Sequence, residues 1–413
     1  MRMPGRFLKN SSPKSKHILV LDVGTTGIKA FIFDTNLSPI ARVYRKLNKF
    51  SPKRGWVEQN PKELLRVSRG VLREAVKKSG LSGKSFFGLG LTNQRETTIL
   101  WDKKTGNPIY PAIVWEDERT KSTCAKLKKF EKKVRSRTGL PINPYFSASK
   151  IQWVLKRAVG TKERLGRDEL AFGTVDSWIL WNFLEDAPHL TDLTNASRTL
   201  LFNIKKLGWD DELLDIFQIP RKILPQVKPS QAPFGQLKKE VLGFPLAVLA
   251  VAGDQQASMY AACPECSRGA GSKKGITKVT YGTGTFMMQV LGSRFRLYPE
   301  FFTTLLVTQG KPLYAIEAKI EGSGDEVEKT LGKPTLDKVI LKLARKVDVY
   351  LKRMPVKPQR LIIDGGITKA KGLGPTQAQI SGLLIQKQAI FDGTALGTAK
   401  LVKDFRGLLG GGS

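Results

Sequence analysis

Histidine and cysteine are scarce in this chain of 413 residues. Its two histidines, His17 and His189, are too few for a histidine-rich metal site and argue against a Ser-His-Asp triad. Acid–base chemistry is therefore expected of carboxylates, lysine, tyrosine or cysteine. The three cysteines do not form a disulfide framework in a chain of this length. Cys263 and Cys266 lack a second Cys or His pair to complete a zinc site, so a surface loop is favoured over half of a zinc site or a redox pair.

Long apolar runs are also missing. No stretch approaches the roughly 18 residues that cross a bilayer. The longest, Phe244–Ala252, has the length of a buried strand. The basic residues up to Lys16 precede a short apolar stretch that Asp22 interrupts, which argues against a signal peptide. We therefore expect a soluble, cytoplasmic protein.

Acidic residues are few relative to basic ones, since 36 Asp and Glu stand against 69 Lys and Arg, a formal charge of +33. Such a charge attracts polyanions, including nucleic acids, anionic lipids and nucleotides. The basic clusters, for example Lys128-Lys129 and Lys273-Lys274, are short and scattered. Zinc-finger spacing, an aromatic RNA-binding motif and a basic region followed by heptads are all absent. A general surface property is favoured over a nucleic-acid partner, which stays open.

Alternating strand and helix patterns predict an α/β architecture up to about residue 255. Ile18–Asp22 is a predicted strand, Gly24–Gly27 a tight turn, and the alternating residues after it a second strand. Apolar residues at helical spacing predict a helix over 61–78, opened by Pro61. The length exceeds the roughly 250–300 residues at which single cores stop growing, so two domains are expected.

The later part of the chain repeats the opening in outline. Lys278–Tyr281 and Phe286–Val290 are predicted strands that flank the turn Gly282–Gly284, and another glycine turn, Asp364–Gly366, follows the strand Leu361–Ile363. Two such hairpins predict a duplicated domain. The predicted divisions are a basic flexible arm (1–16), an N-terminal domain (17–257), a C-terminal domain (258–409) and a flexible tail (410–413).

Glycine-threonine turns between antiparallel strands expose backbone N–H groups and hydroxyls that suit phosphate oxygens. One such turn alone is typical of an ordinary hairpin, but two, together with a Gly-Gly turn, favour phosphate binding. A P-loop is excluded because Lys78 stands where the glycine before Gly83-Lys84-Ser85 belongs. A dinucleotide fingerprint is excluded because Asn93 stands where the third glycine after Gly88-Leu89-Gly90 belongs.

The run Asp22–Gly27 followed by Lys29 resembles the first phosphate motif of the FGGY carbohydrate kinases, and Thr92–Thr98 resembles the signature of the family's glycerol kinases. The resemblance extends almost continuously from about residue 17 to 290. Its further segments are Ala112–Trp115, Gly139–Trp153, Gly173–Asp176, Thr194–Thr199, Gly253–Gln256 and Tyr281–Gly284.

The resemblance implies two duplicated ribonuclease-H-like domains of the actin, hexokinase and Hsp70 type, with a cleft between them and the second one reduced. It implies ATP-dependent phosphorylation of glycerol to glycerol 3-phosphate, by in-line transfer to a hydroxyl deprotonated by an aspartate, with Mg²⁺. A homodimer or homotetramer is also implied. The resemblance does not imply insertion into a membrane.

Roles follow position by position from the same resemblance. Asp254 is implied as the catalytic base, and Asp22 and Asp254 as magnesium-linked carboxylates. The implied glycerol-binding residues are Arg95, Glu96, Trp115, Tyr145, Asp254, Gln255 and Phe286. The implied nucleotide-binding residues are Thr25, Thr26, Gly27, Lys29, Gly282, Thr283, Gly324, Glu328, Gly366 and Ala370.

The same residues have ordinary interpretations when read in isolation. A neighbouring pair such as Arg95 and Glu96 is typical of a solvated ion pair at a strand end. Trp115 by itself is typical of a core residue. Asp254 differs, because it follows a predicted strand at its carboxyl end, where α/β proteins place their sites.

The resemblance weakens after about residue 316, and Ala370 and Lys371 stand where the family usually has two asparagines at the adenine pocket. The acceptor half is therefore expected to be complete and the nucleotide half reduced. An active glycerol kinase is favoured. A kinase for another small polyol or sugar, a kinase-derived binding or regulatory protein, and a nucleic-acid-associated ATPase stay open as alternatives.

Overall fold

The computed structural model describes residues 16–267, 274–282, 284–308, 310–320, 330, 335–388 and 392–410. Residues 1–15 of the predicted arm 1–16, and residues 411–413 of the predicted tail 410–413, lie outside this part of the chain. Contacts divide the chain into a first unit, which comprises the residues up to Asp254 and those from Thr398 onward, and a second unit, Gln255–Gly397. Residues 398–409, assigned from sequence to the second domain, thus belong to the first unit. Gln231 Nε2, for example, donates to the carbonyl of Leu401 over 2.9 Å.

The first unit contains a large sheet and several short strand pairs. Its strands are β1 His17–Val23, β2 Gly27–Phe33, β3 Pro39–Lys46, β4 Glu58–Gln59, β5 Phe86–Asn93, β6 Ile99–Asp102, β7 Ala112–Ile113, β8 Leu170–Gly173, β9 Leu190–Asp192, β10 Phe202–Asn203, β11 Gly208–Trp209, β12 Gln226–Lys228, β13 Gln231–Gln236 and β14 Ala247–Gly253. Its helices are α1 Pro61–Ser79, α2 Lys121–Leu127, α3 Glu131–Thr138, α4 Ser147–Arg157, α5 Thr161–Gly166, α6 Val175–Phe183, α7 Leu193–Ala196, α8 Asp211–Phe217 and α9 Lys239–Leu242.

The second unit follows from Gln255. Helix α10, Asp254–Ala262, begins at the last residue of the first unit and continues into the second. The strands are β15 Thr277–Tyr281, β16 Thr285–Gly292, β17 Phe302–Leu305, β18 Tyr314–Ile320, β19 Arg360–Asp364 and β20 Leu384–Lys387. The later helices are α11 Leu336–Lys352, α12 Leu373–Ser381 and α13 Gly393–Gly410, the last of which returns to the first unit.

The two large sheets have the same core topology. Within the described residues each has six strands, in the orders β13-β14-β5-β1-β2-β3 and β17-β18-β16-β15-β19-β20. In the first sheet the antiparallel meander β1-β2-β3 lies beside β5 and β14, which run parallel to β1. In the second sheet the antiparallel meander β15-β16-β18 lies beside β19 and β20, which run parallel to β15. The predicted duplication and the two-domain α/β fold class are confirmed.

Helix α1 shows why the local predictions succeed. Asn60 caps its first turn by accepting from the Lys62 N–H at 2.9 Å, and Pro61 occupies the first helical position. Gly80 ends the helix with φ 66°, a left-handed conformation that glycine adopts without strain. The apolar face, which includes Leu64 and Val71, is buried against the first sheet.

Cys263 and Cys266 differ from their predicted environment. They form a disulfide, and both are buried rather than exposed in a surface loop. Their side chains pack in a cluster of the second unit that includes Met259, Met288 and Val290. Apolar neighbours, which the local sequence does not reveal, enclose them.

No helix of the described residues is both long enough and apolar enough to cross a membrane.

His189 lies between two indole rings of the first unit, with ring centroids 5.3 Å from Trp101 and 5.8 Å from Trp181. Its Nε2 is 2.7 Å from the Phe172 carbonyl, so the neutral ring donates there. Burial lowers the pKa of His189 to about 4.

Because this folded pKa lies below the ordinary value of 6.5, protonation favours unfolding. The contribution of neutral His189 to the free energy of unfolding is complete above pH 6.5 and is lost as the pH falls toward 4. Over that range we expect the free energy of unfolding of the wild type to fall by about 3 kcal/mol through protonation of His189. The His189→Gln variant should lack this fall. Denaturant titrations of both proteins at several pH values measure it. Parallel pH profiles for wild type and variant would contradict the assignment.

Candidate active site

Three parallel strands end together at one edge of the first sheet. Asp22 of β1 lies opposite Thr92 of β5, and Asn93 of β5 lies opposite Gly253 of β14. The residues that follow each strand therefore emerge side by side, as expected at the carboxyl edge of an α/β sheet. This register brings the glycine turn after β1, the segment Gln94–Thr98 and Asp254 to the same place.

Arg95 lies between two carboxylates at this edge. Its Nε is 3.1 Å from Asp254 Oδ1 and 3.9 Å from Glu96 Oε1. Glu96 also accepts a hydrogen bond of 2.5 Å from Arg198 Nε. The side chains of Arg95 and Glu96 are 2% exposed, whereas that of Asp254 is 32% exposed. The isolated interpretation of Arg95 and Glu96 as a solvated pair is therefore wrong, and Asp254 is the open end of the cluster.

The backbone of Glu96 is held in an unusual conformation. Its φ of 64° lies in the left-handed region, which a glutamate rarely adopts. The Glu96 carbonyl accepts from Ser147 Oγ at 3.0 Å and from Thr98 Oγ1 at 3.2 Å. Strain of this kind persists when surrounding contacts fix it, and it is concentrated at functional sites.

Two aromatic side chains lie beside this cluster. The rings of Trp115 and Tyr145 meet edge to face with centroids 5.5 Å apart. Trp115 Nε1 donates to Thr25 Oγ1 at 2.8 Å, which joins the aromatic pair to the turn after β1. The guanidinium of Arg198 lies 5.7 Å from the Tyr145 ring centroid. Trp115 is thus partly exposed at the site rather than fully in the core.

Lys150 supports Tyr145 from within the core. It is fully buried, and its Nζ donates to the Tyr145 carbonyl at 3.0 Å. Burial lowers the pKa of Lys150 to about 8, although the charges of Asp117 and Glu96 oppose that shift. The lysine therefore fixes the backbone that presents the Tyr145 ring.

The turn after β1, which is predicted from the sequence to bind phosphate, is closed by a backbone hydrogen bond. The Gly24 N–H donates to the Gly27 carbonyl at 3.1 Å, and Thr26 at its tip is exposed. A side chain on Gly27 would meet the Tyr44 ring at 2.3 Å, so the ring would have to move to admit one. Lys29 Nζ lies 3.3 Å from Asp22 Oδ2.

The predicted nucleotide residues of the second unit are only partly described. Gly282 lies between β15 and β16, and its N–H donates to the Gly284 carbonyl at 3.2 Å. Thr283, Gly324 and Glu328 lie outside the described residues. Ala370 lines a cavity of about 440 Å³ beside α12 and β20, whose other walls include Lys369 and Lys387.

The turn after β19 packs directly on the end of β15. Gly365 has φ 97°, and a side chain there would lie 2.2 Å from the Tyr281 carbonyl oxygen. Asp364 is buried and accepts from Lys278 Nζ at 2.5 Å and from Ser258 Oγ at 2.6 Å. The glycine turns at 282 and 365–366 therefore adjoin, as the register of Thr280 with Asp364 requires.

Gln255 and Phe286, both predicted to bind the acceptor, belong to the second unit. Gln255 is buried in the first turn of α10, and Phe286 is partly buried on β16 opposite Lys319. The described contacts thus bring together Arg95, Glu96, Trp115, Tyr145 and Asp254, with Thr25, in the first unit.

Comparison with known proteins identifies the family. A model of the N-terminal domain of the FGGY family of carbohydrate kinases matches residues 17–261. The chain belongs to the FGGY family of carbohydrate kinases. Among its relatives, the glycerol kinase of Burkholderia pseudomallei is 44% identical over 76% of the chain, and that of Paraburkholderia phymatum is 43% identical over 76%. The chain spans 62% of the length of each of these relatives.

Solved structures of two kinases resemble most of this chain. The glycerol kinase of Plasmodium falciparum with ADP superposes with a TM-score of 0.84 at 25% identity, covering 95% of this chain and 90% of that one. A xylulose kinase from Lactobacillus acidophilus superposes with a TM-score of 0.80 at 19% identity over 95% and 90%. The second of these likenesses shows the fold alone.

The FGGY family implies a magnesium ion, and the donor chemistry here fits one. Within the described ranges, no three or more His, Cys, Asp or Glu side chains group closely enough to hold a metal. Mg²⁺ at phosphoryl-transfer sites instead uses one or two carboxylates and the phosphates of the substrate. Asp22, which is buried beside the phosphate turn, and Asp254 match that pattern.

Several residues that shape the site were not predicted. Arg198 lies in a segment that matched the family motif, but nothing in the sequence indicated that it pairs with Glu96. The burial of Lys150 and Lys278 was not predicted either, because a buried lysine cannot be told from an exposed one in the sequence. The partners of Arg198 and Lys278 are distant along the chain, so only the fold reveals them. Lys150 bonds to Tyr145 only five residues away, but its burial is likewise decided by the fold.

Gly365 and Gly366 provide a matched pair for testing the second unit's turn. Alanine at Gly365 requires a left-handed conformation and displacement of the Tyr281 backbone. We expect Gly365→Ala to lower the free energy of unfolding by about 3 kcal/mol. Gly366→Ala meets nothing within 4 Å and should change it by less than about 0.5 kcal/mol. Equal denaturant midpoints for the two variants would refute the packing argument.

Proposed function

We propose that the chain transfers the γ-phosphoryl group of ATP to a hydroxyl of glycerol, giving glycerol 3-phosphate and ADP. The observation that supports this best is the cluster in which Arg95 joins buried Glu96 to the more open Asp254, beside the Trp115–Tyr145 pair. A small polyol requires charged partners for its hydroxyls and an apolar wall for its carbon chain. The cluster offers both within one unit.

Each residue has a distinct part in the proposed reaction. Arg95 and Glu96 orient two hydroxyls, and the aromatic rings contact the carbon chain. The carboxylate of Asp254 accepts the proton of the attacking hydroxyl as its oxygen forms the new bond to phosphorus. The bond between that phosphorus and the oxygen of ADP breaks in line. Arg95 keeps Asp254 aimed at the acceptor by the contact of 3.1 Å.

The nucleotide is proposed to bind at the glycine turns. Backbone N–H groups and hydroxyls of Thr25 and Thr26, with the ammonium group of Lys29, are suited to the phosphates. In the second unit the adjoining turns at Gly282 and Gly366 offer similar donors, and Ala370 is assigned to the adenine side. Bound Mg²⁺ would neutralise charge on the transferring group.

Glycerol is favoured as the acceptor because the curated relatives at 43–44% identity are glycerol kinases. Another small polyol or sugar is the alternative within the same chemistry. A non-catalytic binding role is the alternative from a different class. A coupled assay for ADP release across glycerol, other polyols and pentoses distinguishes these three.

Asp254→Asn tests the proposed base. The amide cannot accept the proton, so we expect kcat to fall by about two to four orders of magnitude, with glycerol binding nearly unchanged. Asp168→Asn is the matched control, because Asp168 is 61% exposed in a surface pair with Lys103. Turnover near the wild-type level in the Asp254 variant would exclude it as the base.

Arg95→Ala tests acceptor recognition. Loss of a charged hydrogen bond to a substrate hydroxyl costs about 1.5–3 kcal/mol, or roughly ten- to a hundredfold in kcat/KM. We expect the KM for glycerol to rise while the KM for ATP changes little. Arg221→Ala, which breaks an exposed pair with Asp211, is the control. Equal changes in both KM values would count against the assignment.

A further inference from the structure

Asp192 is the centre of a buried polar cluster behind the proposed site. It ends β9 and caps α7, and it is fully buried. Its carboxylate accepts five hydrogen bonds: from Thr194 N at 2.9 Å and Oγ1 at 2.7 Å, from Asn195 N at 2.9 Å and Nδ2 at 2.8 Å, and from Ser230 Oγ at 2.6 Å. We call Asp192, Thr194 and Asn195 the Asp192 cluster.

Thr194 connects this cluster to the strand that precedes Asp254. Its hydroxyl has one hydrogen, which it donates to Asp192. Its lone pair therefore faces Gly253, whose N–H donates to Thr194 Oγ1 at 2.8 Å. Gly253 is the last residue of β14, so this bond fixes the backbone immediately before the proposed base.

Asn195 connects the cluster to the strand that precedes Arg95. Asn195 and Asn93 exchange amide hydrogen bonds of 3.0 and 3.1 Å. Asn93 is the last residue of β5, and its Nδ2 also donates to the carbonyl of Gln94 at 2.7 Å. The same cluster thus holds both strand ends from which the proposed catalytic pair emerges.

We propose that the Asp192 cluster is a positioning device that sets the distance between Arg95 and Asp254. The inference rests on the proposed function of Asp254 as base. Thr194 fixes the backbone on one side of that pair and Asn195 fixes it on the other, while Asp192 keeps both in register. Asp192 and Thr194 act through Gly253, and neither is a catalytic residue.

A single carboxylate that anchors both strand ends constrains their spacing more than two independent anchors would. A carboxylate that accepts five hydrogen bonds in the interior cannot shift toward one partner without weakening the others. A displacement of about 1 Å at a catalytic group costs on the order of a hundredfold in rate. We therefore expect the rigidity of the Asp192 cluster to matter for turnover.

Thr194→Val tests the bond to Gly253, because valine keeps the shape and removes the hydroxyl. We expect kcat to fall about ten- to a hundredfold while the KM for glycerol stays within about threefold. Thr194→Ser restores the hydroxyl and should restore kcat. Thr138→Val is the structural control, because Thr138 is fully buried and its hydroxyl bonds only within its own helix and the adjoining turn.

The double variant with Asp254→Asn separates positioning from general destabilisation. If Thr194 acts through Asp254, adding Thr194→Val to Asp254→Asn should lower kcat by less than about threefold further. Multiplicative effects would overturn the proposal. So would a Thr194→Val protein that loses as much stability as Thr138→Val yet keeps wild-type kcat.

Hydrogen exchange distinguishes this inference from the proposed function. Faster exchange of the Gly253 amide in Thr194→Val, absent in Thr194→Ser and Thr138→Val, supports the contact whether or not glycerol is turned over. Unchanged exchange at Gly253 overturns the inference. A wild-type protein that releases no ADP with any polyol overturns the function instead.

Discussion

The chain of ion pairs from Arg198 through Glu96 and Arg95 to Asp254 is the interaction on which the site depends. Glu96 and both arginines are almost inaccessible to water, and removing one partner from a buried pair costs about 3–5 kcal/mol. Each charged side chain in this series of ion pairs therefore requires its partner. Among these side chains only Asp254 is substantially exposed, at 32%, so the buried residues orient a carboxylate that a ligand can reach from solvent.

The duplicated sheets use the same geometry for different purposes. In the first unit Lys29 and Asp22 pair at 3.3 Å beside a turn that has an exposed tip, and the lysine side chain is 27% exposed. In the second unit the pair Lys278–Asp364 is buried at 3% and 1% exposure. The buried Asp364 carboxylate is enclosed by its protein partners Lys278 and Ser258, whereas the partly exposed pair in the first unit can be reached by phosphate oxygens or a cation. This contrast supports the assignment of Asp22, rather than Asp364, to the proposed magnesium site.

Local features were predictable where the physical cause is local. Asn60, Pro61 and the periodic apolar residues define α1 to within one residue at its end. The glycine turn after β19 was correctly placed, and the φ of 97° at Gly365, with the Tyr281 backbone close by, explains why glycine is needed there. The surroundings of Arg95 and Glu96 were not predictable, since a polar run at a strand end is usually solvated. Cys263 and Cys266 were placed in a surface loop because no second Cys or His pair completes a zinc site, although apolar neighbours from elsewhere in the second unit enclose them.

The sequence by itself determined the strand–turn–strand repeats, the family and the residue types at the proposed site. The tertiary structure alone decided which of these residues meet. Thr194 and Gly253 are 59 positions apart, and Asn93 and Asn195 are 102 apart, yet each pair is joined by a hydrogen bond. Turn and helix preferences arise from angles and neighbours within a few residues. Such long-range bonds arise only when parallel strands align their ends, which no local pattern specifies.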